Sequence, residues 1–244
     1  MKSGLVRKPE PRFYRAHATG HGLVRFDAAV AETDLQIFAS RGLTERAIEL
    51  INSARMEIEE YAATHAGFYD ALAPIECDAH GLVRQMCDAA RAFSVGPMAA
   101  VAGAIAESVG RSLLAESEEI IIENGGDIFF HTQSPPVFGL FAGKHSRFTS
   151  IRFTTPSIFE GGVCTSSGTV GHSMSFGNAD AVVVVSYNAA YADAAATAFC
   201  NQVKSADDID TVIARASKCP QIKGIIIAAG DKLGALGSIE FMEG

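Results

Sequence analysis

Asp193 and Thr197 stand four residues apart in Ser186-Tyr-Asn-Ala-Ala-Tyr-Ala-Asp-Ala-Ala-Ala-Thr-Ala-Phe-Cys200, a run of small residues that carries a single carboxylate. Four-residue spacing puts two side chains on one face of a helix, and a carboxylate beside a hydroxyl is the kind of oxygen pair a hard cation takes. A charge on an otherwise apolar helix is costly to bury alone. Asp193 is therefore expected either to face solvent or to hold something. The alanines around it let backbone or ligand come close.

Three further stretches have the composition for chemistry. In Ser94-Val-Gly-Pro-Met-Ala-Ala-Val-Ala-Gly-Ala-Ile-Ala106 a turn at Gly96 delivers a small-residue helix, whose unpaired N–H groups suit a phosphate or other anion. Packing of one helix on another through Gly96 and Gly103 is the competing reading. In Glu123-Asn-Gly-Gly-Asp-Ile128 the paired Gly125 and Gly126 permit left-handed backbone, and Asp127 is placed to point into a cleft. Asn-Gly alone also makes an ordinary hairpin turn. The third stretch, from Cys164 to Asp180, is rich in hydroxyls around Ser166, Ser167 and Gly168, with further glycines at 171 and 177. Hydroxyls and backbone N–H groups of such a loop can wrap phosphates, but it lacks the lysine and the spacing of a P-loop. His172 within it suits acid or base work near neutral pH, or a structural hydrogen bond. Lys144, His145, Arg147 and Arg152 form a minor basic cluster that reads as a solvated hairpin tip. No serine, histidine and acid are arranged as a hydrolase triad.

The elements that must position these groups follow from periodicity. Alternation at Val24, Phe26, Ala28 and Val30, then at Leu35 and Ile37, predicts a hairpin. Apolar residues at helical spacing predict a long amphipathic helix over 43–65 and two more over 78–92 and 97–114, the last entered through Pro97. Strand-like runs follow at 119–123, 127–132, 137–142 and 148–155. After a loop at 165–171 come a strand at 180–186, the alanine helix, a capped helix at 205–217 and strands at 223–228 and 238–242. Clustered rather than strictly alternating elements predict an α+β layer fold, with helices between strand pairs in each half, a pattern of internal duplication. Residues 1–19 read as a polar N-terminal segment and 20–244 as one domain.

Composition narrows the class. The chain has 244 residues, 48% of them hydrophobic, enough for one large core or two modest ones. Its net charge of -8 and lack of a long basic run argue against nucleic acid as a partner. The five cysteines are scattered with no Cys-x-x-Cys pair, as expected of reduced thiols in a cytoplasmic protein. No apolar run reaches membrane-spanning length and the first fifteen residues lack the apolar core of an export signal, so no membrane partner is expected.

Taken in order, the small-residue helix, Asn-Gly-Gly-Asp, Thr-Ser-Ser-Gly and Ala-Asp-Ala-Ala-Ala-Thr-Ala resemble the ApbE-type FAD:protein FMN transferase superfamily. The fuller motifs Gly-Pro-Met-Ala-Ala-Val-Ala-Gly-Ala-Ile-Ala-Glu, Glu-Asn-Gly-Gly-Asp-Ile and Ser-Ser-Gly-Thr-Val-Gly-His-Ser look like an ApbE-like branch of it, over roughly residues 20–242. The resemblance implies an ApbE-like fold related to the tunnelling (T-fold) architecture, an antiparallel sheet packed with helices. It implies Mg²⁺ held by Asp193, Thr197 and a backbone carbonyl of the small-residue helix, Ala102 or Ala104. FAD would be lined by Asn124, Gly125, Gly126, Asp127, Ser166, Ser167 and Gly168, with Gly96 at the helix entry and His172 as the catalytic residue. Expected partners are a flavin dinucleotide or related small molecule and an acceptor protein, with self-association left open. One segment departs from the pattern: where characterised transferases carry His-x-Ile-Asp-Pro-x-Thr-Gly, this chain has Gly171-His-Ser-Met-Ser-Phe-Gly-Asn178. Two readings follow, an enzyme that transfers FMN to protein or hydrolyses FAD to FMN and AMP, and a binding module on the same scaffold.

Overall fold

Alternating apolar residues build an antiparallel hairpin of β1 (Val24–Val30) and β2 (Thr33–Ala39) in the computed structural model, which describes residues 22–140, 142, 148, 151–168 and 177–242. The amphipathic helix α1 (Thr44–Thr64) follows and buries Ala47, Ile51, Ala54 and Ile58, one stripe at helical spacing. Then come α2 (Gly81–Phe93), a short 3-10 turn (Pro97–Ala100) and α3 (Val101–Leu113), before β3 (Ile120–Asn124) and β4 (Asp127–His131). A small hairpin of β5 (Val137–Leu140) and β6 (Ile151–Thr154) is inserted next. The second half repeats the plan: β7 (Glu160–Ser166), β8 (Ala181–Ser186), α4 (Ala189–Gln202), α5 (Ile209–Ala216), β9 (Ile222–Ala229) and β10 (Lys232–Gly237), closed by β11 (Glu240–Met242).

Hydrogen bonding joins eight strands in the order β1-β2-β3-β4-β7-β8-β9-β10, every neighbouring pair antiparallel. Each half thus contributes two strands, intervening helices and two more strands, in the same spatial order. The expected α+β class and duplicated plan are therefore present in the topology. One face of the sheet carries the helices over a core that includes Leu35, Ile37, Ile51, Met86, Leu113, Ile122 and Phe129. The other face carries β5, β6 and β11 over Phe38, Phe130, Phe138, Phe153 and Ile226. No single helix among the described residues is long and apolar enough to cross a membrane.

Two strands have no counterpart in the sequence pattern. Strand β7 carries Gly161 and Gly162 directly after its first residue, Glu160, and no alternating pattern marks it. A Cβ at Gly162 would lie 2.3 Å from the Cα of Ala189, so the missing side chain is what lets the start of α4 rest on the strand. Strand β10 is a largely exposed edge with a single neighbour among the described residues, and none of its residues is buried, so no buried face imposes alternation on it. The alanine helix begins at Ala189 rather than Ser186, because Ser186 closes β8 and Asn188 caps the helix by accepting the Tyr191 N–H at 3.0 Å.

Candidate functional site

Four pieces of backbone from different parts of the chain meet where α3 and α4 pack against each other and on the sheet. Helix α3 brings its first turn, the β3–β4 hairpin its Asn124 to Asp127 turn, β7 its C-terminal end, and α4 its second turn. Alanine and glycine make this meeting close. A Cβ at Gly103 would lie 2.3 Å from the carbonyl oxygen of Ala189 and 3.0 Å from the Asp193 Cβ.

Asp193 is buried, and its Oδ2 accepts the Gly103 N–H at 3.0 Å. Burial pushes its carboxyl up to about 7, against the opposing effect of N–H groups from Gly103 and Ala102. Asp193 thus caps the N-terminus of α3, taking the Gly103 N–H, one of the donors a helix start leaves unpaired. Asp127, also buried, accepts the Thr165 N–H at 3.3 Å through Oδ1. Burial raises its carboxyl well above the usual carboxylate range, and the charge of Asp193 raises it further. The two carboxyls are therefore near enough for their charges to oppose one another. Between them on β7, the Cys164 thiol donates to the Ala189 carbonyl at 3.4 Å. Burial and both carboxyls push that thiol well up, so it stays neutral.

The Ala102 carbonyl accepts from Asn124 Nδ2 at 3.1 Å, which ties the hairpin turn to α3. The same carbonyl also accepts the Ala106 N–H inside α3, so both of its lone pairs are engaged. Thr197 is half-buried one turn beyond Asp193. Gly125 and Gly126 take φ of +69° and +107° with open space around each, as a tight hairpin requires, and Gly126 N–H donates to Glu123 Oε1 at 2.7 Å. At the end of β7 the Ser166 Oγ is buried without a hydrogen-bond partner among the described residues, while Gly168 N–H donates to the Ala179 carbonyl at 2.9 Å. Gly96 lies apart from this cluster. It is buried beneath the connector after α1, where a Cβ would strike the Ala71 carbonyl oxygen. His172 lies outside the described residues.

A cleft of ≈ 410 Å³ opens at Ala102 and Asn124, the residues that neighbour Gly103 and the hairpin turn. Besides these two, Ile58, Met98, Val101 and Ile105 give it an apolar lining, and Tyr69 and Arg55 also border it. Arg55 is held in place by Glu32 at 2.9 Å, Glu59 at 3.1 Å and Thr33 at 3.2 Å. Neither Arg55 nor Tyr69 stands in a motif, and both are ordinary members of an amphipathic helix and a connector. Only the fold brings them to the cleft.

The helices crossing over an eight-stranded antiparallel sheet place the protein among the ApbE folds. The ApbE protein of Thermotoga maritima matches it with a TM-score of 0.54, covering 87% of this chain and 96% of its own at 12% identity. The apo form of the flavinyl transferase ApbE of Pseudomonas stutzeri matches with a TM-score of 0.52 over 91% and 95%, also at 12% identity. A family model described as AbpE bacteria matches residues 15–221, and the chain belongs to that family. Among sequence relatives, the UPF0280 protein MJ1526 of Methanocaldococcus jannaschii is 41% identical over 209 residues, covering 82% of this chain and 84% of its own. The UPF0280 protein of Archaeoglobus fulgidus is 38% identical over 181 residues, covering 73% and 75%.

Proposed function

We propose that this protein binds a flavin dinucleotide with the help of Mg²⁺ and acts at its pyrophosphate, releasing FMN onto an acceptor protein or into water. The observation that carries this reading is the pair Asp127 and Asp193, two buried carboxyls set against each other, with no cationic side chain among the described residues offsetting either. Like charges buried together are costly, and a hard divalent cation with oxygen ligands is the chemistry that offsets them. The donors fit such an ion. A carboxylate has more acceptor positions than its capping bonds use, the Thr197 hydroxyl lies one turn beyond Asp193 on the same helix, and the Ala102 carbonyl would join them by exchanging its Asn124 Nδ2 bond for the ion. Bound there, Mg²⁺ supplies charge compensation for pyrophosphate oxygens. The Ser166 hydroxyl, without a hydrogen-bond partner among the described residues, supports a ligand reaching the end of β7, where Ser167 and Gly168 follow, and the cleft at Ala102 and Asn124 has room for a ring system. The names of the fold relatives, which include the flavin transferase ApbE of Vibrio cholerae, agree with a flavin. In this reading His172 is the acid or base.

A binding module without chemistry is the second reading, favoured by the Gly171-His-Ser-Met-Ser-Phe-Gly-Asn178 segment, which keeps a histidine but lacks the acidic and proline companions of characterised transferases. Titration calorimetry with FAD in Mg²⁺ and in chelator tests the site. Tighter binding with Mg²⁺, lost in Asp193→Asn, is the expected result, and equal affinity in both buffers would sink the metal site. Chromatography of AMP and FMN then separates enzyme from binder, with His172→Ala expected to slow release while FAD binding persists.

A further inference from the structure

Helices α3 and α4 cap each other. The Gly103 N–H in the first turn of α3 donates to Asp193 of α4 at 3.0 Å, and the Ala189 N–H that opens α4 donates to Glu107 Oε2 of α3 at 2.6 Å. In each helix the carboxylate stands four residues after the donor, so one turn of α3 and one turn of α4 exchange the same pair of groups. The two carboxylates differ in what balances them. Glu107, 2% exposed, has the Arg111 guanidinium at 2.8 Å, and Arg111 continues to Glu160 at 2.7 Å and lies over the Phe129 ring. Asp193 has no such partner among the described residues.

Ala189 is the fixed point of this arrangement. Its N–H is held by Glu107 and its carbonyl by the Cys164 thiol, its Cα lies over the bare Gly162, and its carbonyl oxygen faces the bare Gly103. A rigid helical turn connects it to Asp193.

We infer that Glu107 is a positioning residue for the site: by holding the Ala189 N–H it sets where α4 begins, and thereby where Asp193 stands relative to Ala102, Gly103 and Asp127. The inference rests on Asp193 being the cation-holding group, and reach rather than charge is what Glu107 contributes. Glu107→Asp keeps the charge and shortens the reach, whereas Glu107→Gln keeps the reach and removes the charge. The Asp variant is expected to bind Mg²⁺ about tenfold more weakly than wild type, as loss of an orienting partner does, and to exchange the Gly103 amide proton faster in the metal-free protein. The Gln variant keeps one oxygen for the Ala189 N–H while its amide NH2 faces the Arg111 guanidinium, so it is expected to lower Tm but to keep Mg²⁺ affinity and Gly103 exchange near those of wild type. Val212→Ala, a core truncation in α5, controls for general destabilisation and should leave Mg²⁺ affinity unchanged while lowering Tm. The reverse order of the two Glu107 variants, or no change in either, overturns the inference. If wild type itself takes up no Mg²⁺, the functional reading fails instead, and Gly103 exchange alone decides the positioning: faster in the Asp variant upholds it, unchanged overturns it.

Discussion

Asp193 has two partners of different kinds, the α3 N-terminus that it caps and the carboxyl of Asp127 that opposes it, and pH separates them. Burial raises its folded pKa to about 7 from an ordinary value of 3.8. Between those values the folded protein holds a proton that the unfolded chain has lost, so metal-free stability is expected to fall as pH rises from about 4 to about 7 and to level off beyond. Asp127, raised for the same reason, adds to the slope with the same sign. Denaturant melts across that window check it; stability rising through the window contradicts the burial of both groups. A proton and a cation compete for the same carboxylate, so Mg²⁺ affinity should climb about tenfold per pH unit below 7 and then level off. At pH 8, Asp193→Asn is expected to be at least as stable as wild type, whereas Asp193→Ala leaves helix donors unpaired and costs about 1–3 kcal/mol. The one-turn spacing of Asp193 and Thr197 was legible in the sequence. That the carboxylate turns inward to cap a helix ninety residues earlier in the chain was not, because nothing local records the partner.

Among the elements, the closeness of α3, α4 and β7 decides whether there is a site. Gly103→Ala forces a methyl onto the Ala189 carbonyl, against rigid backbone rather than a side chain that can turn away. Overpacking of that kind costs about 1–3 kcal/mol. Because α4 must shift to relieve it, cation binding is expected to weaken more than that of a variant equally destabilised elsewhere; calorimetry on matched variants decides, and intact binding would mean that the spacing is not what positions Asp193. Most elements could be read from periodicity: the first hairpin, α1, α3, the β3–β4 hairpin and the alanine helix stand near their expected places. The strand β7 could not. Its glycines look like a break in one dimension and are an accommodation in three, since they give up side chains where a helix lands.

Over the whole molecule, two halves of the same strand and helix order share one sheet, which separates functions by layer. The helix layer carries every candidate site residue on a helix, while the small sheet of β5, β6 and β11 packs on the opposite face through Phe138 and Phe153. Phe153→Leu is therefore expected to cost about 1 kcal/mol of stability and to leave Mg²⁺ and FAD affinities as in wild type. Changed affinities at full folding would show that the two faces are coupled through the sheet. The cleft beside Ala102 belongs to this scale as well, since α1, the connector and α3 each contribute to its walls.

The amino-acid sequence determined the class of fold, the motif order and the polar residues at hand, because hydrophobic period and turn chemistry act over a few neighbours at a time. It also carried the small residues at 103, 162 and 189 without revealing what they make room for. Only the tertiary structure decided that Asp127 and Asp193 would oppose each other, that Asp193 and Glu107 would each cap a helix start, and that only Glu107 of these would have a guanidinium beside it among the described residues. Those outcomes depend on distances between segments far apart in the chain, and such distances are set by how the two halves close over one core.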